Sequence, residues 1–264
     1  MRPDRNFRSY LIDIEGVLVR DKRYKAIETA REWYASLTDR GITWCLVSNN
    51  TTHTPDELCG QLVSAGFQVE PEQLVTALAI GSDLLARWGK VRIMWLGDPH
   101  LDSYWRDRGF EVVSDGPCDA VVLGASTVLQ TVDLDRTLPA LVDHGAELIA
   151  LHRNIFFLDH EGRRRLGPGA WCAALEPLCH AGRAICVGKP AERIYREALK
   201  RVGTGSSEAL FISDNPPGDL VTAKRLGMGT AFVLSGKYPD HAVLGDMDQE
   251  EWPDIICERV GDLS

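Results

Sequence analysis

The sequence lacks the patterns that would place it in a membrane or in an oxidising compartment. No run approaches the roughly 18 consecutive apolar residues that a membrane-spanning helix needs. The seven cysteines are odd in number and include no CxxC pair, which favours reduced thiols and predicts a cytoplasmic protein. The segment MRPDRNFRSY is charged and has no long apolar run, so no secretory signal is expected there.

Positive charge is also scarce. The formal net charge is −9, because 29 Lys and Arg residues stand against 38 Asp and Glu residues. Such a chain repels nucleic acids and anionic membrane surfaces, so we expect neither as a partner. Any phosphate site in it has to be locally positive. With 264 residues, 44% of them apolar, the chain can form one large globular domain or two smaller ones.

Several common hydrolase and nucleotide motifs are missing. The sequence contains no HExxH and no GxSxG. Residues 182–189 (GRAICVGK) differ from a P-loop, since five residues separate the glycines and proline follows the lysine. The evenly spaced Cys172, Cys179 and Cys186 are interrupted by Pro177 and by a strand-like run, so we predict no metal or redox site from them.

Short apolar runs alternate with amphipathic segments along most of the chain. The predicted strands are 9–13, 42–47, 91–96, 119–124, 146–151, 184–188, 209–213 and 230–234. The predicted helices are 26–40, 55–65, 72–88, 133–144, 169–181, 190–202 and 217–226. This alternation predicts an α/β fold with a doubly wound, largely parallel sheet that helices cover on both faces. Ligands bind such sheets at the carboxyl ends of the strands.

Polar side chains follow four of the predicted strands at those ends. They are Asp13 and Glu15, Ser48 and Asn49, Lys189, and Asp214 with Asp219 five residues on. Carboxylates that converge on one edge repel one another unless a cation compensates them. Mg²⁺ accepts carboxylate and phosphate oxygens, a lysine adds a charge for a phosphoryl group, and a serine hydroxyl can donate to it. The set predicts Mg²⁺-dependent phosphoryl transfer, in which a carboxylate can attack phosphorus.

These residues stand in four motifs that resemble those of the haloacid dehalogenase (HAD) superfamily of phosphatases. The family's DxDGxL is DIEGVL here, followed in the family's order by LVSNN, VGKP and SDNPPGD. The interval between the second and third motifs leaves room for an inserted domain. An insertion at this place resembles that of the class IIA branch, which contains NagD-like and p-nitrophenylphosphatase-like proteins. The segment ELIALHRNIFFLDHEGRRRLGPGAWCAALE resembles the branch that includes phospholysine phosphohistidine inorganic pyrophosphate phosphatase.

The resemblance implies two domains. A HAD-like hydrolase core comprises residues 1–79 and 184–264, and an αβ cap domain comprises residues 80–183. The cap would close over the strand ends, exclude water and select the leaving group. The implied substrate is a small phosphorylated metabolite, with sugar phosphates, nucleotides, pyridoxal phosphate and phosphoamino acids all open. A homodimer formed through the caps is implied as well.

The resemblance also implies a role for each motif residue. The catalytic residues are Asp13 as nucleophile, Glu15 as general acid and base, and Lys189 as the partner of Asp13 and of the phosphate. The Mg²⁺ ligands are Asp13, the main-chain carbonyl of Glu15, Asp214, and Asp219, the last either as a ligand or as a carboxylate behind the ligands. The phosphate ligands are Ser48, Asn49 and Lys189.

Two segments of the implied cap carry further candidates. Arg153 and Asn154 follow a predicted strand and are candidates for reading the leaving group, with a loop contact inside the cap as the alternative. The run Arg163-Arg164-Arg165 could bind an anion, but a solvated turn is the favoured interpretation.

Two residues depart from the family pattern. Ser213 replaces the usual glycine, a change that we expect to matter little because the residue stays small. Glu15 replaces the usual aspartate, and its extra methylene moves the carboxyl by about 1.5 Å, a displacement of the size that can cost about 100-fold in rate. We therefore expect phosphoryl transfer to Asp13 to persist while protonation of the leaving group or hydrolysis of the aspartyl-phosphate slows. The alternatives are a phosphate-ester-binding protein with little turnover and a phosphotransferase to an alcohol other than water.

Overall fold

The structure is a computed structural model that describes residues 7–20, 23–159 and 161–263. The chain divides into two compact units, which we call unit 1 and unit 2. Unit 1 contains the described residues of 1–48 together with Asp56–Val75 and those of 189–264. Unit 2 contains Asn49–Pro55 and Thr76–Gly188.

The sheet of unit 1 has six strands in the order β15-β14-β13-β1-β4-β5. Their bounds are Ser9–Ile12 (β1), Thr43–Ser48 (β4), Leu74–Thr76 (β5), Ala209–Ser213 (β13), Gly229–Val233 (β14) and Ile255–Cys257 (β15). From β15 to β4, neighbouring strands pair in parallel. A two-stranded antiparallel ribbon, Val19–Arg20 (β2) and Lys25–Ala26 (β3), stands outside this sheet. Strand β1 lies between β13 and β4, and all of its residues are buried, as expected of an inner parallel strand.

The main helices of unit 1 are Ala30–Asp39 (α1), Pro55–Ser64 (α2), Glu192–Val202 (α7) and Val221–Arg225 (α8). Helix α1 buries four side chains at helical spacing, namely those of Ala30, Trp33, Tyr34 and Leu37. Helix α7 ends at Gly203, which has a φ of 69° and donates its N–H to the carbonyl of Leu199. A π-helical turn at Pro216–Leu220 precedes α8. The apolar faces of α1 and α2 form one core with side chains of β1, β4, β13 and β14. Helix α7 buries Ile194, Tyr195 and Ala198.

Unit 2 has its own parallel sheet of five strands in the order β12-β9-β8-β6-β7. Their bounds are Arg92–Leu96 (β6), Glu111–Val113 (β7), Ala120–Leu123 (β8), Glu147–Ala150 (β9) and Ile185–Cys186 (β12). A separate antiparallel hairpin is formed by Phe156–Leu158 (β10) and Arg164–Leu166 (β11). The helices are Ala77–Arg87 (α3), Asp102–Asp107 (α4), Thr131–Asp135 (α5) and Pro168–Leu175 (α6), with a π-helical turn at Pro139–Asp143. The predicted α/β class with parallel sheets is confirmed.

The predicted strand at 184–188 does not belong to the sheet that holds Asp13. Strand β12 pairs with β9, with Ile185 opposite Ile149, and so lies in the sheet of unit 2. We were therefore wrong to expect Lys189 at the end of a strand of the core sheet. The apolar pattern of a short buried strand gives its type, but it does not tell which sheet the strand joins.

Several predicted helices are shorter than expected, and two of these differences have a clear physical cause. The predicted helix at 72–88 begins only at Ala77, because residues 74–76 form β5 and the Thr76 hydroxyl caps the helix by accepting from the Ala79 N–H at 3.2 Å. The predicted helix at 133–144 is divided before Pro139, which has no N–H to donate and clashes with the preceding turn. Among the described residues, no helix is long and apolar enough to cross a membrane.

Candidate active site

The carboxyl end of β1 places Asp13 between two neighbouring strands. Ile12 pairs with Ile212 of β13 on one side and with Leu46 of β4 on the other. The N–H of Asp13 still donates to the carbonyl of Ile212 at 2.9 Å, so the backbone of Asp13 is held in the sheet. Ser48 is the last residue of β4 and is fully buried. The sheet thus carries these polar side chains to one edge of unit 1.

A tight loop after Asp13 turns the chain back on itself. The Asp13 Oδ1 accepts from the N–H of Ile14 at 2.8 Å. Gly16 has a φ of 84° and donates its N–H to Val19 at 2.8 Å, while Glu15 forms a β-bridge with Val19. The positive φ explains the glycine of the motif, since other residues are strained there.

Lys189 links two buried carboxylates of unit 1. Its Nζ lies 2.8 Å from Asp13 Oδ1 and 2.7 Å from Asp219 Oδ2. The backbone of Asp219 is anchored as well, because the Tyr195 hydroxyl donates to its carbonyl at 2.8 Å. The predicted partner of Asp13 is therefore in contact with it.

Burial and charge set the protonation of this group. Burial, reinforced by the neighbouring Asp219 and Asp214, raises the pKa of Asp13 well above its usual value, more than Lys189 offsets. Burial alone would lower the pKa of Lys189, but the Asp13 and Asp219 carboxylates outweigh it and raise that pKa. Lys189 therefore stays charged. Its single positive charge does not compensate the negative charges of all the carboxylates around it when these are ionised.

Asp214 occupies a narrow slot beside Asp13. Its Oδ2 accepts from the main-chain N–H of Lys237 at 2.6 Å. A Cβ added at Gly16 or Gly236 would lie only 1.9 or 2.0 Å from that oxygen, so both glycines are required by the close approach. Burial raises the pKa of Asp214 to about 6.

The loop at 235–237 is a part of the site that sequence reasoning missed. The Ser235 hydroxyl donates to the carbonyl of Gly16 at 2.7 Å, and the Lys237 backbone holds Asp214. The loop follows β14, whose carboxyl end lies at the same edge as that of β13. Its small residues, directly after a predicted parallel strand, were the signal that could have pointed to it.

The oxygen atoms of this edge fit a hard divalent cation. Asp13, Asp214 and Asp219 are buried, and Lys189 is the buried cation beside them. When all four are ionised, two negative charges stay uncompensated. Asp13 and Asp214, with the main-chain carbonyl of Glu15, would be a donor set suited to Mg²⁺, which takes few carboxylates and keeps waters. Asp219 Oδ2 already accepts from Lys189 and Ser213. We therefore do not count Asp219 among the direct donors to the cation.

Within the part of the chain that the structure describes, no group of three or more His, Cys, Asp or Glu side chains is arranged to hold a metal ion. A magnesium site here would therefore depend on two carboxylates and on oxygens from the main chain, the substrate and water. This is the usual composition of catalytic Mg²⁺ sites.

Asn49, the other predicted phosphate ligand of its motif, belongs to unit 2 and is half-buried. Its Oδ1 packs against Gly188, where an added Cβ would lie 2.5 Å from that oxygen and 2.5 Å from the carbonyl of Leu151. The glycine of the VGKP motif is thus explained by a close approach inside unit 2.

Arg153 makes its contacts inside unit 2. Its guanidinium donates to both oxygens of Glu176, at 2.6 and 3.2 Å, and to the carbonyl of Ala184 at 3.3 Å. Hydrogen bonding to Arg153 lowers the pKa of Glu176. Asn154 is exposed, and its N–H donates to Nδ1 of the buried His152 at 3.3 Å. These contacts support the alternative of a loop contact for Arg153, and a substrate role for Arg153 and Asn154 stays a prediction.

The arginine run is held by one buried acid. Asp159 accepts from Arg163 Nε at 3.2 Å and from Arg165 Nε at 2.9 Å. It also accepts from the main-chain N–H groups of Glu161 at 3.0 Å and Arg163 at 2.9 Å. These hydrogen bonds outweigh burial and hold the pKa of Asp159 well below its usual value. The favoured interpretation of a solvated turn is wrong for Arg164 and Arg165, because both lie in strand β11.

Comparison with known proteins identifies the class. The haloacid dehalogenase-like hydrolase family matches residues 10–111, and the HAD-hydrolase-like family matches residues 186–263. The chain is 30% identical over 236 residues to the human haloacid dehalogenase-like hydrolase domain-containing protein 2, covering 89% of this chain and 86% of that one. It is 29% identical over 231 residues to the ribonucleotide monophosphatase NagD of Escherichia coli, covering 87% and 88%.

Solved structures agree with the sequence relatives. The p-nitrophenyl phosphatase from Archaeoglobus fulgidus matches with a TM-score of 0.85 and 26% identity, covering 98% of both chains. The chain therefore belongs to the haloacid dehalogenase-like hydrolases. Within that family it is a phosphatase of the class IIA, NagD-type branch, and its reaction is the hydrolysis of phosphate monoesters. The predicted family and enzyme class are confirmed.

Proposed function

We propose that the chain hydrolyses a small phosphorylated metabolite with the help of Mg²⁺, through an aspartyl-phosphate on Asp13. One observation carries this proposal. Asp13 stands at the carboxyl end of an inner strand, buried, 2.8 Å from the Lys189 ammonium and beside the buried Asp214. A nucleophilic carboxylate needs both a fixed position and a neighbouring positive charge that tolerates an incoming phosphate.

In the first step a carboxylate oxygen of Asp13 attacks phosphorus, and the bond between phosphorus and the ester oxygen breaks. Glu15, in its proposed role as general acid, gives a proton to the leaving alcohol. Lys189 keeps Asp13 oriented and offsets the charge of the phosphoryl oxygens. Mg²⁺, when bound, would neutralise negative charge between the enzyme and the phosphoryl group.

In the second step water attacks the same phosphorus and loses a proton to Glu15, now acting as a base. The bond from phosphorus to the Asp13 oxygen breaks, inorganic phosphate leaves, and the carboxylate is restored. Ser48, at the end of β4, and Asn49 are the proposed donors to the phosphoryl oxygens in both steps. The proposed metal ligands are Asp13, the Glu15 carbonyl and Asp214, with Asp219 as the carboxylate behind them.

We further propose that unit 1 is the catalytic core and unit 2 the cap that selects the leaving group, with Arg153 and Asn154 as candidates for that selection. Nucleoside monophosphates are the first substrate class to test, because a relative is named ribonucleotide monophosphatase. A cytoplasmic location and a homodimer through unit 2 remain predictions.

The experiment is a phosphate-release assay over a substrate panel. Wild type and Asp13→Asn are incubated with MgCl₂ and nucleoside monophosphates, sugar phosphates, pyridoxal phosphate, phosphoamino acids or p-nitrophenyl phosphate. We expect release from at least one ester by wild type and none above background by Asp13→Asn. Wild-type release no greater than that of Asp13→Asn would favour a phosphate-ester-binding protein. Transfer to an added alcohol, detected as a new ester, would favour a phosphotransferase.

Glu15 has its own test. If its extra methylene displaces the carboxyl, Glu15→Asp should raise turnover of an alkyl phosphate by up to about 100-fold. If protonation of the leaving group is the slowed step, the gain should be smaller for p-nitrophenyl phosphate, whose leaving group hardly needs a proton. Equal gains for the two esters would assign the slowed step to hydrolysis of the aspartyl-phosphate. An alkyl phosphate turnover that does not improve in Glu15→Asp would overturn this explanation.

A further inference from the structure

The hydroxyl of Ser213 lies inside the carboxylate cluster of unit 1. It is fully buried at the end of β13. Its Oγ lies 2.7 Å from Asp219 Oδ2 and 3.4 Å from Asp13 Oδ2, and it accepts from the Asn215 N–H at 3.1 Å. We expected a small residue here to matter little, but the side chain contacts both carboxylates that flank Lys189.

The hydrogen of this hydroxyl has one favourable acceptor. A serine hydroxyl has one hydrogen to donate, and the N–H of Asn215 already engages the oxygen as an acceptor. The 2.7 Å distance to Asp219 is that of a strong O–H···O⁻ bond, whereas 3.4 Å to Asp13 is too long for one. The hydroxyl therefore donates to Asp219.

The same oxygen of Asp219 accepts from Lys189, also at 2.7 Å. Tyr195 fixes the main chain of Asp219, but on its own it does not fix the rotation of the carboxylate. With the Ser213 hydroxyl on one side and the Lys189 ammonium on the other, that rotation is determined. The contacts then run without a gap from Ser213 through Asp219 and Lys189 to Asp13.

We propose that Ser213 is a positioning residue, whose hydroxyl holds the Asp219 carboxylate in the orientation that presents Lys189 to the nucleophile Asp13. The proposal rests on the proposed function of Asp13. Ser213 itself does not touch the reacting atoms, so it acts on the rate through Asp219 and Lys189. A chain with glycine at this position would need another way to fix that carboxylate.

We expect loss of the Ser213 hydroxyl to lower kcat and to leave KM nearly unchanged. Removing the hydroxyl lets the Asp219 carboxylate rotate and moves Lys189 by a fraction of an ångström, and displacements of about 1 Å cost on the order of 100-fold. We expect Ser213→Ala and Ser213→Gly to lower kcat about 10-fold and to change KM less than about twofold. Ser213→Thr keeps the hydroxyl and should recover most of the rate.

The experiment measures kcat and KM with p-nitrophenyl phosphate and MgCl₂ for wild type and these three variants. Ser82→Ala is the matched control, since Ser82 is a buried serine of unit 2 whose hydroxyl donates to the Ala79 carbonyl. Thermal unfolding of each variant checks that it is folded. A kcat for folded Ser213→Ala or Ser213→Gly equal to that of wild type would overturn the proposal.

A double-mutant cycle with Asp219→Asn tests the route through Asp219. If Ser213 acts through that carboxylate, Ser213→Ala should change kcat less than about twofold once Asp219→Asn is present. A 10-fold loss that persists in the Asp219→Asn background would contradict the route. A wild type that releases no phosphate would instead contradict the proposed function, so the two failures are distinguishable. Should Ser213→Ala not fold, Ser213→Gly takes its place in the cycle.

Discussion

Two buried acidic centres of this molecule are compensated in opposite ways. In unit 2, one carboxylate, Asp159, receives two guanidinium groups and two main-chain N–H groups. Among the described residues of unit 1, the buried carboxylates Asp13, Asp214 and Asp219 lie near the buried Lys189, whose ammonium contacts Asp13 and Asp219. The pKa of Asp159 is accordingly lowered, whereas burial raises the pKa values of Asp13 and Asp214.

The difference separates a structural ion cluster from a site of chemistry. An acid whose charge is fully compensated gains nothing from a further cation, and it serves to hold a turn. An undercompensated cluster is unfavourable when empty, and binding a divalent cation or reacting with a phosphoryl group relieves it. Variants that change one charge at a time test this difference between the two clusters.

Lys189→Met should have the largest effect. The change leaves Asp13 and Asp219 buried without their cation, and breaking a buried pair costs about 3 to 5 kcal/mol of unfolding free energy. Phosphate release should fall roughly 1000-fold, because the nucleophile loses its orientation and the phosphoryl group loses a positive charge. Chemical denaturation and the phosphate-release assay measure the two effects.

Lys200→Met is the matched control for that variant. Lys200 lies on the last turn of α7, is mostly exposed and pairs at 3.4 Å with Glu197. The free energy of unfolding should change by less than about 1 kcal/mol, and the rate of phosphate release should be unchanged. Equal losses in the Lys189 and Lys200 variants would show that the buried position of Lys189 is not the cause.

Asp214→Asn should weaken magnesium binding. The variant removes one of two proposed carboxylate ligands, so the Kd for Mg²⁺ in isothermal titration calorimetry should rise at least about 10-fold. In Mg²⁺-free buffer the variant should melt no lower than wild type, since a buried negative charge has been removed. Asp246→Asn, at an exposed carboxylate, is the control. Unchanged Mg²⁺ affinity in Asp214→Asn would exclude Asp214 as a ligand.

Asp159→Asn should affect stability and leave activity alone. Because the pKa of Asp159 is lowered in the folded state, its ionised form stabilises the protein above the unfolded-state pKa of about 3.9 and loses that effect as the pH falls toward the folded pKa. The difference in melting temperature between wild type and variant should be constant from pH 6 to 8, because Asp159 is ionised there in both the folded and the unfolded state. The difference should shrink below about pH 4. The exposed pair of Asp83 and Arg108 supplies a control variant, Asp83→Asn, with little change expected. A difference that grows on acidification would have the wrong sign.

Arg153→Gln should have the smallest effect. If its guanidinium is committed to Glu176, the KM for p-nitrophenyl phosphate should change less than about twofold. The loss of stability should be below about 1 kcal/mol and should match that of Glu176→Gln. A KM raised 10-fold in Arg153→Gln but not in Glu176→Gln would assign Arg153 to the substrate.

Much of the fold was predictable from local pattern. The apolar run before Asp13 predicted β1, and the predicted strand at 209–213 matches β13. Both are inner parallel strands, whose continuous apolar stretches stand out in the sequence. Short edge elements were not predicted, among them β7 and the β10–β11 hairpin, because two or three residues give too little periodicity.

The site was only partly predictable, for a related reason. Motif residues gave Asp13, Lys189 and Asp214 as candidates, and the structure shows these side chains in one cluster. The position of residues 235–237 after a predicted parallel strand could have indicated that loop. The contacts that Ser213 and the loop make across strands, however, are distances that no local pattern gives. The partner of Arg153 was also hidden, since Glu176 lies on a different element and is brought near only by the tertiary fold.

The most direct test is to trap the phosphorylated enzyme. Wild type is mixed with Mg²⁺ and p-nitrophenyl phosphate, quenched in acid within the first turnover, digested and analysed by mass spectrometry. We expect a phosphate on the peptide that contains Asp13, assigned to that side chain, and its absence in Asp13→Asn. Phosphate release at full rate with no phosphorylated peptide, or with the phosphate on another residue, would contradict the proposed aspartyl-phosphate on Asp13.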